Sequence, residues 1–270
     1  MWIYIWDTEI KWIYLWDTPV KEVYLWDNKI RPTIPPYLCF TANTAGSTVR
    51  IIRYANPTSV NFEISTDGIS WRDYVLPVQT VWNYYRWEII TLTNVWDKVY
   101  WRNKSETTTW FSTSNSAYYF FSMSWSINAS WNIMFLLNKN WTATSVWNYW
   151  FFSLFQDASS LVTSPQLPAT TVWQFSYQNM FANCTNLETL NKLPCILLNT
   201  QCYRAMFSGC SKIKLSTSKT WEYQTEYRIP ISWTGTEGTN WGFQMFNGTW
   251  WTFASTPSIN TTYYTSNTVV

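Results

Sequence analysis

Residues 146–171 read VWNYWFFSLFQDASSLVTSPQLPATT, residues 172–197 read VWQFSYQNMFANCTNLETLNKLPCIL, and residues 198–213 read LNTQCYRAMFSGCSKI. Set one beneath the other, the three lines align at a period of 26 without a gap. Leu154-Phe155, Met180-Phe181 and Met206-Phe207 share a register, as do Phe151, Tyr177 and Tyr203. Ala158, Cys184 and Cys210 share another, and Leu161, Leu187 and Ile213 a third. Pro168 matches Pro194, and Val146, Val172 and Leu198 open the lines. A fixed period in this range marks an array in which each unit buries its apolar face on the next. Within a unit, Tyr177, Met180 and Phe181 stand at i, i+3 and i+4, which predicts one face of a short helix. Leu187–Leu190 then reads as the strand of the unit.

A strand-plus-helix unit of 26 residues lies in the range of leucine-rich repeats. Met245-Phe246 follows Met206-Phe207 by 39 residues, one period plus an insertion of 13. It reads as a degenerate terminal unit, since end repeats are atypical. The array is thus expected over 139–215, with a terminal repeat and cap over 216–270.

The N-terminus carries a second repeat. Residues 2–31 run WIYIWDTEIK, WIYLWDTPVK and EVYLWDNKIR, with apolar–polar alternation on either side of a fixed Trp-Asp. This predicts short β-hairpins over 1–31, and a ten-residue hairpin cannot bury a core alone. Pairing with further copies, as a homo-oligomer or in a virion assembly, is the expected use of residues 2–31. Pro32, Pro35 and Pro36 mark 32–36 as a linker.

Between linker and array, 37–138 reads as a string of strands. They are Tyr37–Ala42, Ser47–Arg53, Val60–Thr66, Glu88–Leu92, Lys98–Arg102, Tyr118–Ser124 and Ile127–Leu137. Short strands at regular intervals without a helical period predict an immunoglobulin-like β-sandwich. The expected fold class is therefore mainly β throughout.

Tryptophan is out of place in this chain. There are 22 Trp against 7 Gly, where ordinary usage of about 7% would supply roughly 19 Gly. Trp6, Trp16 and Trp26 stand where two-residue hairpin loops need positive φ, and Trp96 and Trp141 also sit in turn sequences. Glycine takes positive φ at no steric cost, whereas a bulky aromatic there is an outlier. Most of these Trp are therefore read as UGA codons that the source decodes as Gly. Trp71 is different: it follows its own glycine turn in STDGISW, residues 65–71, and reads as an ordinary strand aromatic.

Several function classes find no support in the residues. The chain has no His, which removes the usual catalytic base and the commonest metal ligand. No phosphate-binding, dinucleotide-binding or nucleophile-elbow motif occurs. Asp7, Asp17 and Asp27 form a carboxylate ladder of the oxygen-ligand kind that holds Ca2+, but turn-favouring Asp repeated with its turn explains it. Glu88 with Asp97, or Glu222 with Glu226, are the carboxylate pairs available for glycoside hydrolysis. No enzyme activity and no cofactor are expected. Lys+Arg of 18 against Asp+Glu of 16 gives no basic footprint for nucleic acid. No apolar run reaches the roughly 20 residues of a membrane helix. Cys39, Cys184, Cys195, Cys202 and Cys210 form no C-x-x-C pair and read as core residues, with a bridge between coils at Cys184 and Cys210 as the alternative.

Residues 37–270 resemble the BspA-like leucine-rich-repeat surface proteins, including versions from gut bacteria and their phages. The carriers are LCFTANTAGSTV (38–49), STDGISW (65–71), NVWDKVYWRN (94–103), LLNKNWTAT (136–144), LPATT (167–171) with MFANCTNL (180–187), and STPSINTTYYTSN (255–267). Relatives carry Gly where this chain has Trp96, Trp125, Trp131 and Trp141, while aromatic residues are accepted at Trp101. Residues 1–31 are similar to short GDT-type repeats at the front of phage structural proteins. The array departs from typical members in having about three and a half repeats. The resemblance implies a binding role, in adhesion or host attachment, toward a protein or glycan on a cell surface. Met1–Asp7 lacks the features of an export signal, which turns the expectation toward a virion component, with an extracellular surface as the other location. The other binding reading is a carbohydrate-binding module, with Trp147, Trp150 and Trp173 as its stacking platforms.

Overall fold

The computed structural model describes residues 14–15, 18–19, 23–25, 28–30, 37–55, 61–74, 78–79, 84–251 and 255–270. The fold is mainly β. In the N-terminal repeats, β1 (Tyr14–Leu15) pairs antiparallel with β2 (Thr18–Pro19), and β3 (Val23–Leu25) with β4 (Asn28–Ile30). The registers Leu15↔Thr18 and Leu25↔Asn28 leave two residues between each pair, the interval expected of a hairpin. The first repeat, with Trp6 and Asp7, and the carboxylates Asp17 and Asp27 lie outside the described residues.

Ten strands follow. They are β5 (Leu38–Ala42), β6 (Ser47–Tyr54), β7 (Phe62–Ser65), β8 (Arg72–Asp73), β9 (Val78–Gln79), β10 (Tyr84–Arg86), β11 (Ile90–Leu92), β12 (Lys98–Asn103), β13 (Tyr119–Ser124) and β14 (Ile127–Ser130). One sheet runs β11-β6-β10-β9, with β13 along the other side of β6. The second contains β14-β5-β12-β7-β8. The inner faces meet ring to ring: Phe40 and Trp101 of the second sheet lie 4.8 and 5.7 Å from Phe121 of the first. Period-two alternation puts Tyr119 and Phe121 inside and leaves Tyr118 and Phe120 half-buried outside. Three short strands, β8, β9 and β10, escape the sequence reading because two or three residues carry no alternation to detect.

The strand expected over Ile127–Leu137 stops at Ser130. Trp131 then takes φ +66°, and Asn132 caps a 3-10 turn at Ile133–Leu136 by accepting from the Met134 N–H at 2.9 Å. Four buried apolar residues in a row are packed all round here instead of alternating. Asn132→Ala should cost about 1–2 kcal/mol, measured by denaturant unfolding, because it leaves a buried N–H unpaired.

Asp67 organises the STDGISW turn, accepting from the N–H of Ile69 and Ser70 at 2.8 and 2.7 Å and from the Ser65 hydroxyl at 2.8 Å. Burial acts to raise its pKa, but these hydrogen bonds outweigh it and hold the carboxyl at about 2. The folded value lies below the unfolded value of about 4. The stabilisation is therefore complete above pH ~4 and lost as pH falls toward 2. Asp67→Asn should flatten that part of an acid-unfolding curve.

The array is a stack of coils. β15 (Ser145–Val146), β17 (Thr171–Val172), β19 (Leu197–Leu198) and β22 (Thr236–Glu237) form a parallel sheet, with Val146, Val172, Leu198 and Glu237 in register. The last step is 39 residues, as the Met245-Phe246 alignment anticipates. The expected helix at Tyr177–Phe181 is a ribbon of turns. N–H groups of Phe175, Tyr177, Asn179, Phe181 and Asn183 donate to carbonyls of the next coil, at 2.7 to 3.3 Å. The N–H groups between them donate three residues back. An α-helix would send every N–H four residues back within the segment. Positive φ at Phe175, Asn179 and Asn183 (56° to 62°) breaks the right-handed helix every fourth residue. Tyr177, Met180 and Phe181 do share the buried face, because a two-turn ribbon repeat of four residues reproduces the i, i+4 spacing. Within Leu187–Leu190, the strand is β18 (Thr189–Leu190), pairing parallel with β25 (Thr268–Val269). A closing sheet follows, β21-β24-β20-β23, built from Thr225–Arg228, Thr262–Thr265, Lys214–Ser216 and Trp250–Trp251.

Stacking repeats ring on ring. Phe155, Phe181, Phe207 and Phe246 lie 5.4 to 5.6 Å apart with interplanar angles of 9° or less. Phe121 of β13 continues the column onto Phe155 at 5.3 Å and 13°. β14 pairs parallel with β16 (Leu161–Thr163) of the first coil. One apolar cluster therefore spans both parts, crossing the 138/139 boundary drawn from the strand and repeat patterns. The Cys184 and Cys210 thiols donate to the carbonyls of Phe155 and Phe181, each at 3.0 Å. Burial raises the pKa of both thiols, as suits small core residues that tie coil to coil.

Candidate functional site

Outside the core, the same stacking lays rings along the surface. Tyr54 on β6 lies 5.2 Å from Tyr84 on β10, which lies 6.2 Å from Phe120 on β13. Tyr118, 5.9 Å from Phe120, leads 5.2 Å onward to Phe152 of the first coil. Phe152 meets Tyr149 at 5.9 Å, and Tyr149 stacks on Phe175 of the second coil at 4.7 Å and 12°. The result is a strip of seven rings running from the outer sheet face across the junction onto the array. All but Phe152 are partly exposed.

The strip has a polar flank. Where β13 meets the first coil, a cleft of about 300 Å3 opens between Tyr84, Tyr118 and Phe120 on one side and Ser153, Gln156 and Asp157 on the other. Asp157 accepts from the Asn183 side-chain amide at 2.8 Å. The Ser153 hydroxyl is buried without a hydrogen-bond partner among the described residues, although such groups are usually paired. Burial, with the neighbouring Tyr84 and Tyr54 hydroxyls, raises the pKa of Tyr118, so it remains a neutral hydroxyl donor at neutral pH. Flat rings beside hydroxyl, amide and carboxylate groups can stack on one face of a ligand and hydrogen-bond its rim.

Sequence reasoning named Trp147, Trp150 and Trp173, and the structure divides them. Trp147 and Trp173 come together, 5.0 Å apart and 4° from parallel, both exposed. Trp150 is 2% exposed and meets Trp110 edge-on at 5.9 Å, so it offers no face to a ligand. The strip residues went unnamed individually, though two signals mark them. Tyr149 and Phe175 are one period apart, and Tyr118 and Phe120 alternate with core residues.

Three of the four candidate carboxylates, Glu88, Glu222 and Asp97, have structural partners. Glu88 pairs with Arg72, and Glu222 with Lys214 at 3.6 Å. Asp97 caps its turn by accepting from the Asn94 N–H at 2.8 Å, a bond that lowers its pKa. Glu226 is exposed on β21. Among the described residues no three His, Cys, Asp or Glu side chains gather as a metal site, and no helix is long and apolar enough to cross a membrane. No family model, curated protein or solved structure matches this chain.

Proposed function

We propose that the chain is a non-enzymatic attachment protein of a virion or an extracellular surface, binding a glycan or protein on a host or partner cell through its aromatic strip. On this reading 37–138 is an immunoglobulin-like β-sandwich and 139–215 a short leucine-rich-repeat array of BspA-like kind. Residues 216–270 form its cap, and residues 2–31 join copies or anchor them to an assembly. The observation that carries the reading is the strip itself, seven linked rings that cross from one part of the fold to the other. Rings concentrated on a surface are costly in water and recur where partners are recognised. The polar flank at Gln156 and Asp157 favours a saccharide, whose hydroxyls would use both.

A glycan array probed with the whole chain tests this. The expected result is retained binding to a defined set of saccharides, weakened by Tyr118→Ala by roughly 30-fold, the loss of about 2 kcal/mol typical of an anchoring ring. Binding that Tyr118→Ala leaves unchanged, but Trp147→Ala abolishes, would transfer the role to the stacked Trp pair and the carbohydrate-module reading.

A further inference from the structure

Nine of the 22 tryptophans fall into two structural groups that no single residue type serves. Trp96, Trp125, Trp131, Trp141 and Trp233 all have positive φ, at 73°, 64°, 66°, 47° and 65°. Trp96, Trp125 and Trp233 are 69%, 70% and 80% exposed. Outside the coil ribbon, the other non-glycine residues with positive φ among those described are Ala55 and Asn260. Tryptophan thus dominates the one backbone region that most disfavours it.

The ribbon residues with positive φ differ in kind, because they recur at every fourth residue of each coil. Tyr149, for example, donates to the Gln174 carbonyl of the next coil and stacks on Phe175. The five tryptophans instead make isolated turns. In Asn94–Asp97 the Asp97 N–H donates to Asn94, with Trp96 as third residue. Positive φ at that place defines a turn that calls for glycine. Glycines of this chain do take such φ, as Gly46 and Gly68 do at 78° and 75°.

The second group is built in. Trp101 is fully buried and meets Phe40, Tyr74 and Phe121 edge-on at 5.3 to 5.7 Å. Trp87 packs on Phe62 and Tyr119, and the Trp241 indole donates to Glu237 at 3.0 Å. Trp71 lies under the Arg102 guanidinium at 3.8 Å. Glycine at any of these four positions would leave a hole or an unpaired polar group.

We infer that the native protein carries glycine at 96, 125, 131, 141 and 233, encoded by UGA, and tryptophan at 71, 87, 101 and 241, encoded by UGG. Recoding of this kind removes exposed indoles without touching the strip, which contains no tryptophan. Its failure is therefore distinguishable from failure of the binding reading.

The test is to sequence the gene in its source and to map peptides of the protein isolated from that source by mass spectrometry. The expected result is glycine from UGA at the five turn positions and tryptophan from UGG at the four packed ones. Peptides with tryptophan at the turn positions, or glycine at the packed ones, overturn the assignment.

Discussion

Phe181→Ala is expected to destabilise the protein by about 3–5 kcal/mol, the usual cost of emptying a buried aromatic site. Phe181 is fully buried between Phe155 and Phe207, 5.4 and 5.5 Å away. The stacked coils hold each neighbour in place, so the site has little freedom to collapse. The column continues through Phe155 to Phe121 of β13, and one cluster spans both parts. The loss should therefore lower a single unfolding transition, followed both by near-ultraviolet dichroism of the packed rings and by far-ultraviolet dichroism. Two separated transitions, with only one shifted, would show that sheets and array fold independently.

The second large effect has the opposite sign. Replacing Trp96, Trp125, Trp131, Trp141 and Trp233 together by glycine should raise stability by on the order of 3 kcal/mol. Each replacement relieves roughly 1–2 kcal/mol of left-handed backbone cost, offset in part by the greater freedom of glycine in the unfolded chain. Trp101→Gly is the control and should be severely destabilising, since its ring fills the centre between the sheets. Thermal and denaturant midpoints measure both. A neutral or destabilising result for the five-fold variant would mean that the indoles gain contacts outweighing the strain.

Much of this was legible in the residues, and the exceptions have physical causes. The 26-residue period locates the first three coils, and the Met245-Phe246 alignment the fourth, because side chains that stack must repeat. The inner face Tyr177, Met180 and Phe181 was also legible, but not its backbone. Spacings of three and four fit a helix and a ribbon of turns alike, and only the destination of the N–H groups separates them. Asn179 and Asn183, residues tolerant of positive φ, were the available hint against a helix. Turns at Trp96 and Trp141 were legible from turn chemistry alone, since the neighbours Asn94, Asp97 and Asn138 demand a bend that tryptophan does not favour. The continuity of the core across residue 138 was not, because no local pattern reports that Phe121 will stack on Phe155. The strip was hidden for the same reason. Tyr54, Tyr84, Tyr118 and Tyr149 are far apart in sequence and meet only when β6, β10, β13 and the first coil assemble.

On the proposed reading, one recognition surface crosses the junction between sheets and coils. The most direct measurement is a double-mutant cycle of saccharide affinity with Tyr118→Ala on the sheet side and Phe175→Ala on the second coil. A single extended ligand predicts that each substitution weakens binding and that the double variant shows coupling beyond additivity. If Phe175→Ala leaves the affinity of both backgrounds unchanged, the strip is not one site, and the binding surface ends at the sheet.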